Sequence, residues 1–174
     1  MGRDKSDVPI DGVAMIDRVA AALQPVSGRV VLLGPDRDGF ECWPDSVHAQ
    51  GPLAGVATAL SRMEATHLLV VAVDHAFVRP DTLRHLVSLA DGLPVVPVDE
   101  SGVRQVTCAV YPVTIADVAA DEAAAGGTIQ TLLDRVSFTA VAAHEWQEWG
   151  EDGRSWFSVD SDNDIKTGLG RFGA

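Results

Sequence analysis

Residues 67–74 read "HLLVVAVD", an apolar run opened by a histidine and closed by a carboxylate. A continuous apolar stretch this short, bounded by polar residues, is the pattern of a strand covered on both faces. Strands of that kind belong to sheets whose connections are helices. The flanks agree with this. Upstream, "GPLAGVATALSRM" (51–63) is a Gly-Pro loop running into a helical pattern, with Pro52 suited to the first turn. Downstream, Asp81 caps "TLRHLVSLA" (82–90), Gly92 stops it, and "PVVPV" (94–98) supplies another short strand.

The same alternation continues in both directions. "VAMIDRVAAAL" (13–23) places Val13, Ile16, Val19, Ala20 and Leu23 on one helix face, and "RVVLLG" (29–34) is a second doubly buried strand ending in Gly. A polar, turn-rich stretch runs from Pro35 to Gln50. "DESGVRQ" (99–105) is a turn feeding "VTCAVYP" (106–112), expected as an antiparallel neighbour. Helical stretches at 114–125 and 128–136 flank Gly126-Gly127. "FTAVAAH" (138–144) and "WFSV" (156–159) read as further strands, and a short polar helix starts beyond Asp160. Strands alternating with helices imply crossover connections, so the expectation is a three-layer, Rossmann-like α/β fold with a mostly parallel sheet. Residues 1–174 are expected to form one domain.

Composition narrows the function. The net charge is -12, which argues against a nucleic-acid surface, because phosphate backbones demand clustered Lys and Arg. A small anionic ligand held by one or two local cations and a divalent metal is still compatible. Cys42 and Cys108 are the only cysteines, too few for a disulfide framework, and two free thiols fit a reducing cytoplasm. No apolar run approaches the ~18 residues that a membrane span needs.

In doubly wound sheets, ligands sit beyond the carboxyl ends of the strands. Asp74, the "GPLAG" loop (51–55) and Asp160 all fall at such ends. Asp74 reads equally as a ligand of a divalent cation, since Mg²⁺ favours one or two carboxylates plus substrate phosphates, or as a cap for the segment that follows. Gly51 and Gly55 would let backbone N–H groups approach an anion at a helix N-terminus, but Gly-Pro also serves an ordinary helix entry. Asp160 could join Asp74 around one metal, while Asp162 and Asp164 suit capping of the final helix. Lys5 is the best-placed cation for a phosphate, with Arg3 as helper; by residue type alone it is a solvated terminal lysine. The histidines at 48, 67, 75, 85 and 144 show no i,i+4 pairing and hence no zinc site. His75 adjoins Asp74 and either faces the crevice or is a plain loop histidine.

Taken in order, these stretches resemble the molybdenum cofactor guanylyltransferases. "MGRDK" (1–5) resembles the end of that family's Arg-Met-Gly-X-Asp-Lys motif, and residues 10–23 resemble the segment that follows it. "GPLAG" matches the family's Gly-Pro-Leu-Ala-Gly unchanged, after an Asp whose place Asp45 takes. "VAVDHAFVRP" (71–80), "QVTCAVY" (105–111) and "WFSVDSDNDI" (156–165) resemble its Cys-Asp-Met-Pro segment, its later strand and its closing Asn/Asp motif. The resemblance implies a nucleotidyltransferase fold and transfer of GMP from GTP to molybdopterin, Mg²⁺-dependent, with release of pyrophosphate. It implies that Lys5 and Arg3 contact phosphates and that Asp74 and Asp160 bind the metal. Asp45 and the loop of Gly51, Pro52, Leu53 and Gly55 would hold guanine and ribose.

Three departures stand out. The family's first strand and Gly-rich loop are missing from the expected fold, Asp74-His75-Ala76 replaces Asp-Met-Pro, and the closing motif lacks its Pro. Joint retention of Lys5 and Asp74 favours a start lying upstream over a degenerate relative. The competing readings are another small-molecule nucleotidyltransferase, or a non-catalytic binding domain of the same fold. No nucleic-acid or membrane partner is expected; a homo-oligomer, or transient contact with other cofactor-biosynthesis proteins, is compatible with the resemblance.

Overall fold

The computed structural model describes residues 5–44 and 51–173. A 3₁₀ turn (Lys5–Asp7) leads into a small hairpin of β1 (Pro9–Ile10) and β2 (Val13–Ala14). Asp11 and Gly12 join the two strands with φ of 50° and 81°. Two successive positive φ angles are what a tight two-residue hairpin turn needs, and Asp-Gly tolerates them best. Next come α1 (Met15–Leu23) and a parallel pair of short strands, β3 (Leu32–Leu33) and β4 (Cys42–Trp43). The chain continues through α2 (Pro52–Arg62), β5 (His67–Val71), α3 (Pro80–Ser88), β6 (Val95–Pro97) and β7 (Cys108–Pro112). It finishes with α4 (Ala116–Ala124), α5 (Ile129–Arg135), β8 (Thr139–Val141), α6 (Ala143–Glu148) and α7 (Asp162–Phe172).

The main sheet has the order β5-β7-β6-β8. β7 runs antiparallel to both neighbours, whereas β6 and β8 are parallel. The sheet is therefore mixed, with three strands pointing one way and β7 reversed. The cause is the connection before β7. Residues 99–105 are too few for a crossover helix, and Asp99 ties them into a tight turn by accepting from Ser101 N–H (2.8 Å) and Val103 N–H (3.0 Å).

The pleat explains the three layers. Along β7, Cys108 and Val110 pack on one face with Val95, while Ala109 and Tyr111 pack on the other with Val96. The first face is covered by Val19 of α1, Leu83 and Leu86 of α3 and Trp146 of α6. The second is covered by Leu53, Val56 and Leu60 of α2 together with helices α4 and α5. Burying each large aliphatic side chain contributes about 1.5–3 kcal/mol.

Several sequence expectations change: the sheet is mixed rather than mostly parallel, Val13 lies in β2 rather than on the first helix, and α3 has Arg79 as its N-cap with Asp81 inside the first turn. The stretch at 67–71 is an edge strand of the described sheet, and all five of its residues are half-buried rather than enclosed. "RVVLLG" contributes only Leu32–Leu33 as strand, also half-buried. "WFSV" is not a strand: a 3₁₀ turn (Arg154–Trp156), entered through Gly153 at φ 88°, turns Trp156 into the core.

A third cluster positions the ligand end of the sheet. Ile10 and Met15, Ala76 and Phe77, and Val159 and Phe172 pack together from three remote stretches of chain. The cluster draws the N-terminal turn, the loop after β5 and the approach to α7 to one place.

Candidate nucleotide and metal site

Asp74 owes its position to the end of β5. Ala72 N–H still donates to Thr107 O (2.8 Å), after which His75 N–H closes a turn onto Ala72 O (3.0 Å). The carbonyl of Asp74 then accepts from Val159 N–H at 3.0 Å, stitching this turn to the segment before α7. Val159 lies inward in the third cluster, so Ser158 and Asp160 on either side of it face Asp74. Asp160 is held from behind, because its N–H donates to Asp164 Oδ2 (3.1 Å) in the first turn of α7. Ser161 is the N-cap of that helix, accepting from Asp164 N–H at 3.3 Å. The sequence assigned capping to Asp162 and Asp164; the capping residue is instead Ser161, and Asp164, in the first turn, accepts from Ser161 Oγ at 2.8 Å.

Lys5 sits between the two carboxylates. Its Nζ donates to Asp160 Oδ1 at 2.5 Å and lies 3.4 Å from Asp74 Oδ2. Ser158 Oγ completes the arrangement, 3.1 Å from Asp74 Oδ2 and 2.9 Å from Asp160 Oδ2. Partial burial works against the Lys5 charge, but the hydrogen bond to Asp160 and the two carboxylate charges outweigh it and raise its pKa. The hydrogen bond from Lys5, followed by that from Ser158, holds the Asp160 carboxyl below its ordinary value. His75 is enclosed, with Nε2 2.9 Å from Thr107 Oγ1. Burial lowers its pKa, opposed by the Asp74 charge, so the imidazole is neutral at neutral pH.

Two buried side-chain atoms here have no hydrogen-bond partner, Asp74 Oδ1 and His75 Nδ1. An orphaned carboxylate oxygen beside a second carboxylate suits a hard divalent cation that takes oxygen ligands. Among the described residues, no group of three or more His, Cys, Asp or Glu side chains could hold a metal. Two carboxylates with remaining positions left to phosphate oxygens and water is the arrangement Mg²⁺ favours.

The cluster opens into a cleft of about 370 Å³ between β3 and the end of β5. Leu32, Leu33, Ile16 and Val73 give it apolar walls, while Lys5, Arg37, Asp36 and Asp74 supply its charge. Lys5, Asp74 and Asp160, expected from sequence to act together, are brought together. Gly51, Pro52, Leu53 and Gly55 do not line this cleft. Gly51 is the N-cap of α2 at φ 87°, Pro52 is its first residue, and Leu53 and Gly55 are buried in the helix, Leu53 against the core. Arg3 and Asp45 lie outside the described residues.

Sequence reasoning missed Ser158 and Arg37. A hydroxyl two positions before Asp160 was a usable sign, because alternating positions of an extended chain face the same way. Arg37 lay hidden in the turn-rich stretch after β3. Among the described residues, no helix is long and apolar enough to cross a membrane.

Several known proteins are similar to this chain. A probable molybdenum cofactor guanylyltransferase of Natronomonas pharaonis is 29% identical over 176 residues, covering 94% of this chain and 87% of the relative. One from Pelotomaculum thermopropionicum is 32% identical over 100 residues, covering 55% of this chain and about half, 49%, of the relative. The molybdenum cofactor guanylyltransferase of Rhizobium meliloti is 31% identical over 130 residues, covering 67% of this chain and 60% of its own length. Among solved structures, molybdopterin-guanine dinucleotide biosynthesis protein A from Archaeoglobus fulgidus superposes with a TM-score of 0.82 at 22% identity, covering 96% of this chain and 89% of that one. The 2-C-methyl-D-erythritol 4-phosphate cytidylyltransferase of Thermus thermophilus has a TM-score of 0.71 at 12% identity, covering 98% and 94%. These likenesses establish a nucleotidyltransferase-like α/β fold. Residues 1–143 match the MobA-like NTP transferase domain, and the chain belongs to that family.

Proposed function

We propose that this chain transfers GMP from GTP to the phosphate of molybdopterin, releasing pyrophosphate. The observation that carries the reading is Lys5 held between Asp74 and Asp160 at the mouth of an apolar-walled cleft, in a chain related to molybdenum cofactor guanylyltransferases.

In the reaction, an oxygen of the acceptor phosphate forms a bond to the α-phosphorus of GTP. The bond from that phosphorus to the bridging oxygen breaks, and pyrophosphate leaves with the electron pair. The acceptor oxygen carries no proton that must be removed, so the work is positioning and charge neutralisation. Lys5 meets the phosphates, exchanging its carboxylate partners for phosphate oxygens. Asp74 and Asp160 are the residues that would hold Mg²⁺, Asp74 through its unsatisfied Oδ1. The ion supplies Lewis-acid stabilisation of the phosphate charge when bound. Ser158 keeps the two carboxylates facing one another, and neutral His75 supports the loop without adding a competing cation. Cys108 is buried and its thiol pKa is pushed up by that burial, so it takes no part as a nucleophile. Two free thiols suit a reducing cytoplasm as the setting.

The test is pyrophosphate release from GTP with molybdopterin and Mg²⁺, run in parallel with CTP. Release with GTP and its loss in Asp74→Asn are expected. Release with CTP alone moves the reading to a cytidylyltransferase, and release with neither refutes it.

A further inference from the structure

We propose that Arg37 is a positioning residue for Lys5. Lys5 belongs to a 3₁₀ turn of only three residues, Lys5–Asp7, with no buried side chain of its own. Yet its ammonium must meet Asp160 at 2.5 Å and Asp74 at 3.4 Å. So short a turn needs restraint from outside. Arg37, in the loop between β3 and β4, supplies it. Its Nη1 donates to Ser6 Oγ at 2.6 Å and its Nη2 pairs with the Asp7 carboxylate, gripping the two residues that follow Lys5. Arg37 is anchored in turn, its N–H donating to Cys42 Sγ at 3.2 Å against the start of β4. A planar guanidinium spans two adjacent side chains at once; a lysine ammonium on a flexible stem does not impose that geometry.

The inference rests on the assignment of Lys5 to the phosphates, and the experiment separates the two. The parent, Lys5→Ala, Arg37→Ala, the double variant and Arg37→Lys are compared for Mg²⁺-dependent GTP affinity, pyrophosphate release and melting temperature. Arg37→Ala should lower kcat roughly ten- to a hundredfold, since a misplacement near 1 Å at the reacting centre costs up to about a hundredfold. In the Lys5→Ala background it should lower kcat no further, because the two residues act as one unit. Arg37→Lys should fail to restore kcat. If Arg37→Ala proves too unstable, Ser6→Ala combined with Asp7→Asn removes the same grip and should reproduce the loss. Equal losses in both backgrounds, or full rescue by lysine, overturn the proposal in favour of a direct charge contact with the ligand. Impaired Lys5→Ala beside an unimpaired Arg37→Ala overturns this inference alone. An unimpaired Lys5→Ala overturns the phosphate assignment and the inference with it.

Discussion

Gly168 on α7 lets the final helix close over the loop that carries Asp74. A Cβ at that position would stand 2.3 Å from Cε2 and 2.5 Å from Cζ of Phe77, well inside van der Waals contact. The ring has little room to retreat. Phe157 and Phe172 pack on it with centroids 6.1 and 5.7 Å away, and the Arg18 guanidinium lies 5.5 Å from it. Gly168→Ala therefore sets two effects against each other. Replacing a helical glycine gains about 1 kcal/mol of propensity, while overpacking a filled core costs about 1–3 kcal/mol. With contacts this short the steric cost lies in the upper part of that range, about 2–3 kcal/mol, leaving a net loss of about 1–2 kcal/mol. For a chain of this size that lowers the melting temperature by roughly 2–8 °C. Gly170, two residues on, is the control: a Cβ there meets nothing within 4 Å. Gly170→Ala should gain about 0.5–1 kcal/mol and melt a few degrees higher. Thermal unfolding by circular dichroism reads both. Because Ser161 and Asp164 at the start of α7 brace Asp160, Gly168→Ala should also weaken Mg²⁺-dependent GTP binding, whereas Gly170→Ala should not. A Gly168→Ala protein that melts at or above the parent, or two alanine variants that shift alike, would refute the packing argument.

Two further outcomes follow from the site. Ser158→Ala removes the hydroxyl shared by Asp74 and Asp160, so the apparent Mg²⁺ affinity measured by titration should fall roughly tenfold, with Ser158→Thr retaining most of it. The depressed Asp160 pKa also fixes a pH dependence. Its stabilisation is present above the unfolded carboxyl value near ~3.9 and is lost as pH falls through the lower folded value. The urea midpoints of the parent and Asp160→Asn should therefore differ at pH 6 and converge in strong acid; a gap that persists there would contradict the Lys5–Asp160 pairing.

Much of this architecture is legible in the chain because the relevant forces are local. Asp11-Gly12 and Pro52 mark their turns through backbone dihedrals alone. The run at 67–73 and Asp74 mark a strand and its ligand end. What escaped depends on contacts between distant stretches. Whether "HLLVV" is enclosed or at an edge depends on which strands pair with it, and "WFSV" gives up strand geometry so that Trp156 can meet Trp146 edge-on, centroids 5.0 Å apart. Ser158 and Arg37 carry no motif of their own. They become functional candidates only when the third cluster brings residues 5–10, 74–77 and 158–160 together. The "GPLAG" stretch shows the opposite limit, because the residues that match the family so well serve, in this cleft-lining geometry, as the entry and buried face of α2.

The proposed function requires that Asp74, with Lys5 and Asp160 beside it, make a nucleotide site that depends on a divalent cation. Calorimetric titration of GTP into the parent and into Asp74→Asn, each with Mg²⁺ and with chelator, tests it most directly. The parent should bind strongly with Mg²⁺ and weakly with chelator, and Asp74→Asn should fold normally but lose the Mg²⁺ dependence. Equal GTP affinity in all four titrations would contradict it.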